Sequence, residues 1–162
     1  MKAYSQDIID KLPPNIKVDK LENFTHLYGI EIEGEPDLEV YAFKTMPKGN
    51  VCAVLVKKED HMDRIIAVDK YFLEMSRIAR ATMLFHEVGH VIHKHYSGVR
   101  SFEDEIEADS YSVKMIGIDL FLIGLREWIK KVNSCPALKA DKQEAIRKLK
   151  YWEKAKKNTP GL

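Results

Sequence analysis

The sequence predicts an α+β protein: a small, twisted, mainly antiparallel sheet packed on one long helix, then a helical C-terminal half. Three observations carry that expectation. Between Glu31 and Val68, apolar residues alternate or cluster in short runs divided by Pro and Gly, the pattern of strands. From Ser76 to Lys157 they recur at helical spacing, with capping signals at Ser101, Asp119 and Asp141. Finally, 162 residues at 45% hydrophobic content suffice for one real core. The chain therefore reads as a single domain over 1–162, sheet-rich over 1–70 and helical over 71–157.

The elements follow in order. Ser5 to Lys11 fits a short amphipathic helix stopped by Pro13-Pro14, and Ile16 to Tyr28 fits neither period cleanly. Glu31 to Glu39 carries an acid at every odd position, as an edge strand with an acidic solvent face would, interrupted at Gly34 and Pro36. Leu38 to Met46 and Val51 to Lys57 read as strands joined in a hairpin by Pro47-Lys48-Gly49-Asn50. Arg64 to Val68 is a third strand after a turn near Lys58 to Met62. A helix starting at Leu73 or Ser76 turns Ile78, Met83, Leu84, Val88, Val91 and Ile92 toward the core and ends by Gly98. Ser101 with Asp104 marks the next N-terminus, and Gly117 its end. Asp119 caps a helix from Leu120 to Val132, with Phe121, Leu122, Leu125, Trp128 and Ile129 as core candidates. Asn133 to Leu138 is a loop, and a last helix runs from Asp141 to about Lys157.

The chemistry concentrates between Ala81 and Met115, around His86-Glu87-Val88-Gly89-His90. Four helical residues turn the chain about 400°, so both imidazoles leave one face a turn apart and can share one tetrahedral zinc. Glu87 lies about 100° round from His86, off the ligand line but within reach of the open zinc position, where it can serve as general base. A zinc centre needs a third protein ligand. The run His93-Lys94-His95-Tyr96-Ser97-Gly98 does not supply a histidine at the spacing of metzincins. Glu105, with Asp109 four residues on, supplies a carboxylate ligand and an acceptor for the outer N–H of a ligand histidine. Glu107 is the alternative ligand. It faces about 200° away from Glu105 and has no acid four residues later.

His86-Glu87-x-x-His90 followed by Glu105-x-x-x-Asp109 resembles the gluzincin zinc metallopeptidases. The run from Glu105 to Gly117 is similar to the third-ligand helix of HtpX-like and CAAX-prenyl-protease-like catalytic domains, and ImmA/IrrE-like metallopeptidases share a similar pair of motifs. The likeness spans about Ile65 to Leu125, with a weaker echo to Leu149. It implies a zincin-like fold, one zinc ion per chain on His86, His90 and Glu105, Glu87 as general base, and Asp109 as support for a ligand histidine. It also implies an edge strand that receives extended peptide, for which Val51 to Val56 is the candidate. The His-Pro pair that precedes the last helix in that family is here Cys135-Pro136, and its Arg at the start of the last motif is replaced near Ala145. The donor for a developing oxyanion must then come from elsewhere, with Tyr111, His93 and Arg126 as candidates.

Composition bounds the rest. A net charge of +1 gives no ground for a nucleic-acid partner. Arg126 to Lys157 holds eleven basic residues against four acids, a pattern read as a solvated helix face, with His95 likewise read as exposed. No run approaches the roughly 20 apolar residues of a membrane span, so the expected partner is a peptide or protein substrate rather than a membrane. Cys52 and Cys135 form no CxxC pair, which points to a reducing, cytoplasmic setting. The expected function is a zinc-dependent metalloendopeptidase. The competing class is a zinc-stabilised regulatory or interaction module with little or no peptidase activity.

Overall fold

A computed structural model describes residues 25–32, 34–43, 52–57, 60–96, 99–135 and 142–161. The expected Ser5–Lys11 helix and the cap at Asp141 lie outside these residues. The described elements are β1 (Thr25–Ile30), β2 (Leu38–Ala42), β3 (Cys52–Lys57), β4 (Asp60–Val68), α1 (Lys70–Glu74), α2 (Arg77–Ile92), α3 (Phe102–Ile116), α4 (Ile118–Ser134) and α5 (Lys142–Asn158). The architecture is α+β, a mixed four-stranded sheet followed by a helical C-terminal half. The chain divides into two compact units, Pro13–Glu74 and Met75–Leu162, the latter joined by Met1–Leu12.

In the sheet unit the strand order is β1-β2-β4-β3. β1 pairs antiparallel with β2, β2 parallel with β4 (Glu39 opposite Ile65, Ala42 opposite Val68), and β3 antiparallel with β4. The expected hairpin between β2 and β3 is therefore absent: β4 occupies the slot between them. The reason lies in burial. Ile66, Ala67 and Val68 are successively buried, and a strand without a polar alternation belongs in the middle of a sheet rather than at its edge. The consecutive strands that pair antiparallel here are instead β3 and β4, with Lys57 opposite Asp60.

The acidic stretch also differs from its expected form. The described sheet has two edges, β1 upstream of this stretch and β3, the strand that covers most of the Val51–Val56 candidate. Residues 31–32 and 34–37 lie in no strand, and Gly34 takes φ +76°. The acid at Glu35 is used internally, accepting from Arg64 Nη2 at 2.9 Å. After β4, Asp69 Oδ1 accepts from the Tyr71 and Phe72 amides at 2.9 and 3.2 Å and so starts α1.

The helical unit is built around α2, which packs against both α3 and α4, while α5 packs against α4. Ser76 caps α2 through Oγ, which accepts from the Ala79 amide at 3.2 Å. Glu127 of α4 takes the Ser76 amide at 2.9 Å and its hydroxyl at 2.6 Å, which clamps the start of α2 to α4. Leu84, Val88 and Val91 are fully buried on α2, as are Phe121, Leu122 and Leu125 on α4; Ile78, Met83, Ile92, Trp128 and Ile129 are only half-buried. α2 ends at Ile92, earlier than the Gly98 limit, because Lys94 adopts φ +57° and turns the chain back.

α3 begins with the expected capping box. Ser101 Oγ accepts from the Asp104 amide and Asp104 Oδ2 from the Ser101 amide, each at 3.1 Å. Gly117, at φ +83°, ends α3 and is at once the N-cap of α4. Asp119 is therefore not the cap; it sits in the first turn of α4, where Lys156 Nζ reaches it at 2.6 Å. α4 runs on through Ser134, so the expected loop begins later than Asn133. No described helix is long and apolar enough to cross a membrane, and Cys52 and Cys135 are both free thiols.

Candidate metal centre

The site lies wholly within the helical unit, on facing sides of α2 and α3. Helical spacing puts His86 and His90 on one face of α2, and Glu105 and Asp109 on one face of α3. What allows these faces to meet is Gly89. A Cβ there would stand 2.5 Å from the Ala108 carbonyl oxygen and 2.8 Å from its Cα, so only glycine lets the α3 backbone come this close. Ser112 Oγ adds a bridge, donating to the Thr82 carbonyl at 3.0 Å.

Three atoms converge as a result. His86 Nε2 is 3.0 Å from His90 Nε2 and 2.9 Å from Glu105 Oε2, and His90 Nε2 is 3.1 Å from Glu105 Oε2. Two nitrogens and a carboxylate oxygen in a near-equilateral triangle is the donor set and size that one tetrahedral cation requires. Zinc–ligand bonds of roughly 2.0–2.1 Å would place neighbouring donors about 3.3 Å apart. A single proton satisfies only one edge of such a triangle, whereas one cation satisfies all three corners. These three residues could hold a metal ion.

Each remaining site residue has a definite place. Glu87 is buried, and its Oε2 has no hydrogen-bond partner among the described residues. Burial raises its pKa, opposed by the positive fields of His86 and Arg100. A buried carboxylate oxygen left unpaired on the residue next to a ligand histidine fits a centre that offers it water. Asp109 is almost fully buried, and Oδ1 accepts from His86 Nδ1–H at 2.6 Å. That bond fixes the tautomer of the neutral ring: with the proton on Nδ1, His86 Nε2 then carries the lone pair aimed into the triangle. Glu107 points elsewhere, its Oε1 at 2.8 Å from His95 Nε2, so the triangle is closed by Glu105.

The charges of the metal-free cluster respond to one another. Burial and Lys148 oppose a proton on His86, but Asp109 and Glu105 outweigh them and push its pKa up to about 9. Burial brings His90 down to about 4, against the pull of Glu105 and with the help of His86 and Arg100. Burial works to raise Glu105, yet hydrogen bonds from the two histidines hold its carboxyl far below the usual range. An ionised Glu105 and a neutral His90 are the forms that ligate metal, whereas His86, whose proton these acids favour, must release it from Nε2 to ligate.

Four residues that motif reading did not single out complete the surroundings. Lys148 of α5 reaches Asp109 Oδ1 at 3.1 Å, and Trp152 Nε1–H donates to Asp109 Oδ2 at 3.1 Å. Lys148 is nearly buried, so the basic C-terminal segment is not solvated at this position. His95, expected to be exposed, has a side chain only 10% accessible and lies 3.0 Å from His90 Nδ1. Arg100 directly precedes the α3 cap, and its charge reaches Glu87 and His90. One signal was available: Lys148 and Trp152 are four apart, one face of α5; the reversal at Lys94 that brings His95 back is a feature of the folded backbone.

The candidate oxyanion donors are spread around the unit. Tyr111 packs edge-on against Phe85 at 6.3 Å, His93 forms the C-cap of α2 3.4 Å from Glu107, and Arg126 is exposed on α4. Comparison with protein-family models, curated protein sequences and solved structures returned no match for this chain.

Proposed function

We propose that this chain is a zinc-dependent metalloendopeptidase of zincin-like fold, with His86, His90 and Glu105 as metal ligands and Glu87 as general base. The observation that carries the reading is the triangle of His86 Nε2, His90 Nε2 and Glu105 Oε2, together with the unpaired, buried oxygen of Glu87, the residue that follows His86. Zinc, when bound, supplies a Lewis acid that polarises a carbonyl and makes water acidic enough to attack near neutral pH. Glu87 accepts the proton that the attacking water releases and hands it to the departing amine. Its burial suits both transfers, because a carboxyl with a raised pKa takes and returns a proton at smaller cost. Asp109 holds His86 in the ligating tautomer, and Lys148 and Trp152 hold Asp109.

A structural metal site needs no proton acceptor, so the buried Glu87 favours the enzyme over the interaction module. The test is digestion of a peptide library by metal-loaded protein, with and without chelator, alongside Glu87→Gln. Chelator-sensitive cleavage is expected in the wild type, and a loss of roughly 10²–10⁴-fold in the variant with metal content unchanged. Undiminished cleavage by Glu87→Gln would remove the mechanism. Metal-dependent folding with no cleavage would put the interaction module in its place.

A further inference from the structure

We propose that His95 and Glu107 form a hydrogen-bonded relay that positions His90 for metal binding, the counterpart on the second histidine of Asp109 on the first. The inference rests on the metal-centre reading above and extends it to residues outside the ligand and base set. His90 Nδ1 and His95 Nδ1 are 3.0 Å apart, and His95 Nε2 is 2.8 Å from Glu107 Oε1 and 3.6 Å from Asp104 Oδ1.

The proton positions along this chain follow from one condition. If His90 Nε2 faces the metal with its lone pair, the neutral ring carries its proton on Nδ1. Two nitrogens at 3.0 Å share one proton, so His90 Nδ1–H donates and His95 Nδ1 accepts. The His95 proton then sits on Nε2, where Glu107 accepts it. Every hydrogen bond in the series points outward from the triangle, and the opposite tautomer of His95 would set two donors, or two lone pairs, against each other.

The backbone holds His95 to this task. The turn at Lys94 brings the His95 amide back to donate to the His90 carbonyl at 2.9 Å. His95 therefore grips the same residue through both its main chain and its ring. His90 is fully buried, so without His95 its Nδ1–H would lose its acceptor in a place water does not readily reach. His95 is a positioning residue, and it acts on affinity for the metal rather than on the reacting atoms.

The experiment titrates the metal-free 162-residue chain with Zn²⁺ alone against a chromophoric chelator, for wild type, His95→Leu, His95→Asn and Glu107→Gln. Partners of this kind are worth roughly 10–100-fold in metal affinity. His95→Leu should fall by that factor. His95→Asn should recover most of it, because the Asn amide oxygen stands where Nδ1 stood and still accepts. Glu107→Gln should lose less, its carboxylate being half exposed. A second readout is independent of any variant: zinc-loaded wild type should show a nitrogen–nitrogen coupling across the hydrogen bond between His90 Nδ1 and His95 Nδ1 in a ¹⁵N spectrum. Wild-type affinity in folded His95→Leu overturns the relay and leaves the metal centre standing, as does Asn no better than Leu. If His95→Leu does not fold, the coupling decides: its presence supports the relay and its absence overturns it. A folded wild type that binds no zinc removes the metal centre and the relay together.

Discussion

Gly89→Ala sets local propensity against tertiary geometry, and the two predict opposite signs. By helix propensity alone, alanine in mid-helix should stabilise by about 0.5–1 kcal/mol. The structure predicts the reverse. The new methyl would stand 2.5 Å from the Ala108 oxygen and 2.8 Å from its Cα, both backbone atoms that have no rotamer to change. Restoring ordinary contact requires α2 and α3 to part by roughly 0.5–1 Å, and overpacking of this kind costs about 1–3 kcal/mol. Glu105 rides on α3, so it withdraws from the histidines by a similar distance, several times the roughly ±0.2 Å that a metal site tolerates. Metal affinity should therefore fall at least about tenfold, equivalent to about 1.4 kcal/mol, on top of the lowered melting temperature of the metal-free protein. Gly124→Ala is the control. Its methyl would meet Thr82 Oγ1 at 2.0 Å, pushing on the α2–α4 contact, and α4 carries no ligand. Both variants should be destabilised in thermal melts, and only Gly89→Ala should lose zinc disproportionately in chelator competition. Wild-type zinc affinity in Gly89→Ala, or equal losses in the two, would refute the reasoning.

Three further outcomes are expected. Lys148→Met leaves the buried Asp109 carboxylate with His86 and Trp152 alone; removing one partner of a buried pair costs about 3–5 kcal/mol, and the two remaining donors place this case at the lower end, as chemical denaturation would measure. Asp69 has its pKa pushed from 3.8 up to about 6, because burial outweighs the Tyr71 and Phe72 amides. A raised carboxyl binds its proton more tightly when folded, so this contribution to stability is complete below pH 3.8 and is lost as pH rises through about 6. Asp69→Asn keeps the accepting oxygen and should abolish that fall, worth up to about 2–3 kcal/mol, in denaturant titrations across this pH range. Ser101→Ala removes the side-chain half of the α3 capping box and should cost about 1 kcal/mol in the same assay.

The helical unit was largely legible in the sequence, and the sheet was not, for one physical reason. Caps and helical periodicity are local, so Ser76, Ser101 with Asp104, and Gly117 mark boundaries that the structure keeps. Strand partners are chosen by burial across the sheet. Pro47-Lys48-Gly49-Asn50 is a sound turn signal, yet turn chemistry cannot tell a hairpin from a chain that skips one slot. The informative signal was the unbroken apolar run Ile65-Ile66-Ala67-Val68, which suits a central strand and excludes an edge. The acids from Glu31 to Glu39 misled because Gly34 and Pro36 were read as interruptions of one strand, whereas Gly34, at φ +76°, leaves extended backbone and strand β2 begins only at Leu38.

The same distinction runs through the site. His86, His90, Glu105 and Asp109 are two pairs at i,i+4, so their sharing of helix faces follows from arithmetic. Their meeting does not; it depends on Gly89, which motif reading treats as a free position. Asp109 makes the dependence on tertiary structure clearest. A carboxylate at 1% exposure is costly unless its charge and lone pairs are met. His86 alone leaves Oδ2 and much of the charge unanswered. Lys148 and Trp152, one turn apart on α5, answer both, so a helix distant in sequence from the motif holds the residue that holds the ligand. Basic composition made α5 look like a solvated face. One of its lysines instead neutralises the acid behind His86, and a truncation that removed α5 would take the orientation of that ligand with it.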